Sequence, residues 1–194
     1  NSINAAKAPP GAFAIWRKNM PKPRKMLPDW YAPYIQALAR AMEGQSKATL
    51  GAWAVGYCES ELLPLWENYR PDDVRPRAAL DAARRWLRGE IKLPEAKRHI
   101  LACHEAAREA EDSPVAQAAA RAIGQSASTI HSARHSIGLA LYGALAVAYE
   151  ALGAGAPWNR VEPRAAEECA RMLAALEAIS VEHEPNPAKI DWKC

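Results

Sequence analysis

Apolar residues recur at intervals of three or four along most of the chain, which places them on one face of an α-helix. The first such stretch runs from residue 29 to about residue 43, and Gly44 is its predicted end. Its apolar face consists of Trp30, Tyr34, Leu38 and Met42. Prolines are frequent in residues 1–28 and exclude a long helix there, so we expect an irregular arm.

Further helical segments follow, separated by short turns that favour antiparallel neighbours in a bundle. Their predicted limits are residues 46–69, 76–89, 94–112, 114–152 and 163–180. Pro64 removes a backbone donor inside the first of them, so we expect a kink or a division there. The helical domain is therefore predicted to span residues 29–180, followed by an extended tail over residues 181–194.

The segment from residue 113 to residue 152 has small or apolar residues on nearly every side. Ile123, Ile130, Ile137 and Ala144 recur every seven residues in it. A helix that is apolar on most sides is usually central and packed by several neighbours. We therefore expect this segment to be the core of the bundle, with Gly124 as the candidate position for a break.

Composition supports the same architecture. Alanine, the strongest helix former, makes up roughly a fifth of the residues. Phenylalanine occurs once and tryptophan seven times. These observations argue against a sandwich, a barrel or a Rossmann sheet. They predict an all-α, single-domain bundle of about six to seven helices around a central alanine-rich helix.

The formal net charge of +3 is mildly basic and below that of a dedicated nucleic-acid binder. The arm carries Phe13 and Trp16 and then five Lys or Arg residues without an acidic one, so contact with nucleic acid is one alternative. Wrapping around its own domain or a partner is another. No apolar run reaches the length of about 18 residues needed to cross a membrane. The start lacks a signal-peptide core and the four cysteines form no CxxC pair, so we expect a cytoplasmic location.

Polar residues within apolar faces are candidates for a site. His131 and His135 are four residues apart, a spacing that puts both on one helix face and that is compatible with zinc. Glu61 lies on an apolar face and needs a partner, which His131, His135 or Arg134 could provide. These residues, with His104, predict a buried polar network or pocket of an enzyme or ligand-binding protein. The structural network is the preferred interpretation, and we expect no metal and no cofactor.

Several runs together resemble a known family. They are LLPLWE at residues 62–67, PDDVRPRAAL at 71–80, ARRWLRGE at 83–90 and AARAIGQSA at 119–127, followed by His131 and His135. In this order, over about residues 47–150, the chain is similar to the all-helical immunity proteins of bacterial polymorphic toxin systems. The arm before residue 29, the part after residue 153 and residues 59–61 depart from the pattern.

The resemblance implies a protein that neutralises a cognate protein toxin by stoichiometric binding and has no enzyme activity. From the mild charge and the lack of a long apolar run, we expect neither a membrane nor nucleic acid as partner. Interface energy concentrates in Trp, Tyr and Arg. We therefore expect the partner-binding residues near the surface around one charged turn, namely Trp66, Tyr69, Asp72, Asp73 and Arg75.

Overall fold

The computed structural model describes residues 22–192, and within them the chain forms helices and no strand. The α-helices are α1 (Pro33–Glu43), α2 (Lys47–Tyr57), α3 (Leu63–Tyr69), α4 (Arg75–Leu87), α5 (Leu93–Glu109), α6 (Pro114–Ser128), α7 (Leu145–Leu152) and α8 (Trp158–Glu177). Two π-helical segments, Cys58–Leu62 and Leu139–Ala144, lead directly into α3 and α7. The predicted all-α fold is confirmed.

Helices α2 and α3 form one continuous rod with the first π-helical segment between them. The Ser46 side chain caps the start of α2 by accepting a hydrogen bond of 3.2 Å from the Thr49 backbone N–H. Pro64 lies in the first turn of α3, where its missing N–H costs least. The wider π-helical turn directly before α3 accommodates the proline ring. The division predicted from Pro64 therefore takes the form of a local π-helix.

Helix α6 lies at the centre of the bundle. Twelve of its fifteen residues are buried, and it packs against α2, α3, α4, α5 and α7. The Ser113 hydroxyl caps it by accepting from the Ala116 backbone N–H at 3.3 Å. Alanine dominates its surface, and such small side chains let several neighbouring helices approach closely. This packing makes α6 the central alanine-rich helix of the bundle.

The predicted long segment divides after Ser128, and a break at Gly124 does not occur. Gly124 is inside α6, and a Cβ atom there would lie 2.6 Å from Cε1 of His104, so the glycine provides space for that ring. At the end of α6 the Ser128 hydroxyl donates to the Gly124 carbonyl oxygen at 2.7 Å. Side-chain bonds of this kind compete with the backbone ladder. The chain then turns and resumes as a short 3-10 helix, Ala133–Ser136.

The expectation that no apolar run reaches the length needed to cross a membrane is wrong, since the stretch Ala133–Leu152 is long and apolar enough by length and composition alone. Within its most apolar window, 61% is buried inside the fold. The core helix of a globular domain meets the same two criteria, so this one stretch is weak evidence for a membrane span.

Non-helical chain on both sides of the helices packs onto them. Leu27 is buried and its backbone N–H donates to the Leu141 carbonyl oxygen at 2.9 Å. In the C-terminal segment the Ala188 N–H donates to the Gln45 carbonyl oxygen at 2.8 Å, and Trp192 lies 5.4 Å from Trp30 between ring centroids. Phe13 and Trp16 of the arm lie outside the described residues, so nucleic-acid contact by the arm stays a prediction.

Candidate functional site

The turn between α3 and α4 is held by ion pairs. Arg75 donates to both oxygens of Asp73, with Nε 2.9 Å from Oδ1 and Nη2 2.6 Å from Oδ2. The same guanidinium also binds Glu109, near the C-terminal end of α5. These contacts attach the turn to α5, and the Arg75 guanidinium in turn lowers the pKa of Asp73.

A second pair, Arg70 with Asp112, joins the same turn to the residues that follow α5. Two separate ion-paired groups therefore fix the turn against one helix end. Fixed geometry of this kind lowers the ordering cost of any later association.

Trp66 is only 1% exposed, so the expectation that it lies near the surface is wrong. Its large ring completes the core, and its Nε1–H donates to the Asp73 carbonyl oxygen at 2.8 Å. Trp66 thus binds the turn from its buried side. The turn exposes Asp72, Val74 (65%) and Tyr69 (39%) instead, and the Tyr69 hydroxyl donates to Glu150 Oε2 at 2.6 Å.

A groove of about 570 Å³ lies beside this turn, between α3 and α4. Its apolar lining includes Leu63, Pro64 and Val74. Its rim carries the ion pair Arg77–Glu67. An apolar floor with a charged rim is typical of the surfaces that proteins use for association.

The structure brings His104, His131 and His135 together, although not as the spacing predicted. His131 lies in the turn after α6 and His135 in the 3-10 helix, so no single α-helix presents both. Their ring centroids are 5.2 Å apart, and His135 Nδ1 lies 2.8 Å from Gln125 Oε1. Arg134 is exposed, which contradicts its predicted place in a buried network.

Burial and positive neighbours lower the pKa of all three imidazoles. For His135, burial comes first, followed by His131 and Arg134, and the pKa falls to about 4. For His104, burial is reinforced by the charges of Arg108 and Arg121. The cluster is therefore uncharged near neutral pH.

Glu61 is separate from these histidines, so the predicted pocket of Glu61, His104, His131 and His135 does not form. Glu61 points toward α8, where Oε2 lies 3.4 Å from Nη2 of Arg171. It is half-buried and lies in the π-helical segment. The four-residue site proposed for the enzyme or ligand-binding alternative is therefore not assembled.

The fully buried carboxylate is Glu168 of α8, which the sequence analysis missed. It accepts hydrogen bonds from the Tyr57 hydroxyl at 2.6 Å and from Arg171 at 3.2 Å. Burial, followed by the bond to Glu168, raises the pKa of Tyr57. Glu168 lies on the apolar face of its helix between Ala165 and Met172, and that spacing is the signal that could have identified it.

Within residues 22–192, no group of three or more His, Cys, Asp or Glu side chains is arranged to hold a metal ion. Cys58, Cys103 and Cys169 are buried and free. Burial raises the pKa of Cys58 to about 12, and it raises the pKa of the other two thiols as well. A protonated, inaccessible thiol is a poor nucleophile, so these cysteines have the properties of core residues.

The described residues thus form an all-helical domain with a preorganised, exposed, charged turn beside an apolar groove. The chain belongs to the Imm-5 like putative immunity protein family, whose model matches residues 40–175. The match extends beyond the expected residues 47–150 and includes most of α8. No curated protein and no solved structure matches the chain significantly.

Proposed function

We propose that this protein neutralises a cognate toxin of a polymorphic toxin system by stoichiometric association in the cytoplasm, without catalysis. The observation that carries the proposal is the family match over residues 40–175, which includes all of α2 to α7 and most of α8. The buried, protonated thiols are consistent with a binding role. The separation of Glu61 from the histidines is also consistent with a binding role.

For the toxin-binding surface we propose the exposed part of the turn and the adjoining groove. Asp73 and Arg75 are paired with each other and with α5, so they hold the turn in shape. Tyr69, Asp72 and Val74 are exposed and available for contact. A central aromatic or apolar anchor beside charged neighbours is the usual arrangement of an interface hot spot.

The proposal is tested with the toxin encoded beside this chain's gene. Co-expression measures protection of growth, and isothermal titration measures affinity and stoichiometry. We expect growth protection and a one-to-one complex. The double variant Tyr69→Ala/Asp72→Ala should weaken the complex about tenfold to a hundredfold, since truncating a hot-spot residue costs about 2 kcal/mol or more.

The matched control is Tyr31→Ala/Glu177→Ala, which removes an exposed tyrosine and an exposed carboxylate far from the turn in sequence. Its affinity should stay within about twofold of the parent chain. Absence of both binding and protection would refute the proposed function. Normal binding by the Tyr69→Ala/Asp72→Ala variant would refute only the proposed surface.

A further inference from the structure

The cations of the described helices differ in whether a carboxylate binds them. On α4 and α8 the guanidinium groups of Arg75, Arg84 and Arg171 each bind a carboxylate. On α5 and α6, by contrast, Lys97, Arg108 and Arg121 form no salt bridge with any carboxylate of residues 22–192. These three positive charges are therefore available to a partner.

The unpaired cations lie along one stripe. Lys97, Leu101, His104 and Arg108 follow one another at spacings of four, three and four, which aligns them on one face of α5. At 1.5 Å per residue the stripe is about 16 Å long. Arg121 continues it on α6, because the absent side chain of Gly124 lets the His104 ring pack directly against that helix.

The other two histidines belong to the same stripe. Burial and the nearby charges of Lys97 and Lys47 lower the pKa of His131, and the charge of His131 contributes to the lowered pKa of His104. Nδ1 of His131 and Nε of Arg121 are buried, and neither finds a hydrogen-bond partner in the described part of the chain. Nε of Arg121 is thus buried without an acceptor among the described residues.

We infer that this cationic face, defined by the charged Lys97, Arg108 and Arg121 together with the neutral His104, His131 and His135 beside them, binds an acidic surface of a protein partner. The inference rests on the proposed function, under which that partner is the toxin. Complementary charge of this kind steers encounter and fixes register.

The composition of the face favours a protein over a nucleic acid. Leu101, 65% exposed, lies at the middle of the stripe, and an apolar residue among cations suits a protein interface. The face contributes three fixed positive charges, whereas tight nucleic-acid binding commonly uses about six to ten phosphate contacts.

The cationic face also adjoins the proposed toxin-binding turn. Arg75 and Arg70 attach that turn to Glu109 and Asp112 at the C-terminal end of α5. Arg108, the last residue of the stripe, is next to Glu109 in the chain. A standard interface buries about 800 Å² on each partner. The turn and the cationic face together offer a larger continuous area than the turn alone.

The test is the double charge reversal Lys97→Glu/Arg108→Glu, because both residues are exposed and neither side chain forms a hydrogen bond or ion pair within residues 22–192. The matched control is Arg160→Glu/Lys189→Glu, which changes the net charge equally at two other exposed positions. Thermal unfolding confirms that both variants fold. Association with the toxin encoded beside this chain's gene is then measured at several salt concentrations.

We expect the Lys97→Glu/Arg108→Glu variant to associate at least about tenfold more slowly, with a smaller salt dependence, since exposed interface charges act mainly on the association rate. The control variant should stay within about twofold of the parent chain. If the parent binds and the Lys97→Glu/Arg108→Glu variant binds equally fast, the cationic face is not part of the interface and the proposed function stands.

Two immobilised probes, poly-L-glutamate and a duplex DNA of 20 base pairs, test the same variants without the toxin. Retention of the parent on poly-L-glutamate, lost in the Lys97→Glu/Arg108→Glu variant alone, supports the inference even if the proposed function fails. If the parent chain binds no toxin and is not retained on poly-L-glutamate either, the inference about the cationic face is overturned. Tighter retention on DNA than on poly-L-glutamate, abolished by the same variant, would assign the face to nucleic acid instead.

Discussion

The hydroxyl of Tyr57 on α2 donates a hydrogen bond of 2.6 Å to Oε1 of Glu168 on α8, a side chain with no exposed surface. A buried carboxylate is costly unless its oxygens are hydrogen-bonded and its charge is balanced. Arg171 supplies the charge at 3.2 Å, and Arg164 approaches to 3.4 Å. This group of residues connects helices that are far apart in the sequence.

Replacing Tyr57 by phenylalanine removes the donor and leaves one buried oxygen of Glu168 unsatisfied. We expect the free energy of unfolding to fall by about 1–3 kcal/mol, the cost of an unmade buried hydrogen bond. Urea unfolding measures it. Tyr31→Phe is the control, because Tyr31 is 81% exposed and its hydroxyl bonds to no described residue, so the change should stay within about 0.5 kcal/mol. Equal stability of the Tyr57→Phe variant and the parent would contradict this role.

Gly138 has no side chain, and this lets the chain after the 3-10 helix pack closely against α6. An alanine Cβ there would lie 2.4 Å from Cβ of Gln125, a contact that no rotamer change relieves. Gly138→Ala should therefore destabilise the fold by about 1–3 kcal/mol and displace Gln125 from His135. Calorimetry measures the first effect. In the control Gly44→Ala the nearest atom is 3.7 Å away, so we expect little loss, and an equal loss in both variants would exclude the steric explanation.

His135 makes stability depend on pH. Its pKa is lowered from 6.5 to about 4 in the folded chain, so between these values the unfolded chain binds more protons. The free energy of unfolding therefore falls as the pH falls through this window. His135→Asn should reduce the loss between pH 6.5 and 5 by on the order of 1 kcal/mol. Urea unfolding at several pH values measures it.

The control for this comparison is His183→Asn, since the His183 side chain is 93% exposed. Its pH profile should run parallel to that of the parent chain. If the His135→Asn profile is parallel as well, the imidazole of His135 does not contribute to acid sensitivity, and burial of His104 and His131 becomes the cause to examine.

Local chemistry explains why the helices were predictable from the sequence. Their apolar spacing, the caps at Ser46 and Ser113 and the proline at residue 64 act within a few residues. The predicted break at Gly124 was wrong because that glycine accommodates the His104 ring, a residue twenty positions away. Spacing in the sequence does not distinguish a glycine that ends a helix from one that receives a neighbour.

The candidate site depended far more on tertiary contacts. The charged turn was identified from its sequence, yet Trp66 is in the core and Arg75 is committed to Asp73 and Glu109. Glu61 was expected beside the histidines and instead pairs with Arg171. The pairs Arg75–Glu109 and Glu61–Arg171 join residues 34 and 110 positions apart, and no local pattern specifies them.

By itself, the sequence determined the helix content and the central alanine-rich segment, because short-range propensity and spacing encode both, and the order of its matching runs carried the family resemblance. The tertiary structure alone decided that Glu168 is the buried acid, that three histidines share one face with unpaired cations, and that Tyr69, Asp72 and Val74 are the exposed part of the turn. The physical reason is burial: the cost of removing a charge or ring from water depends on which distant helices cover it.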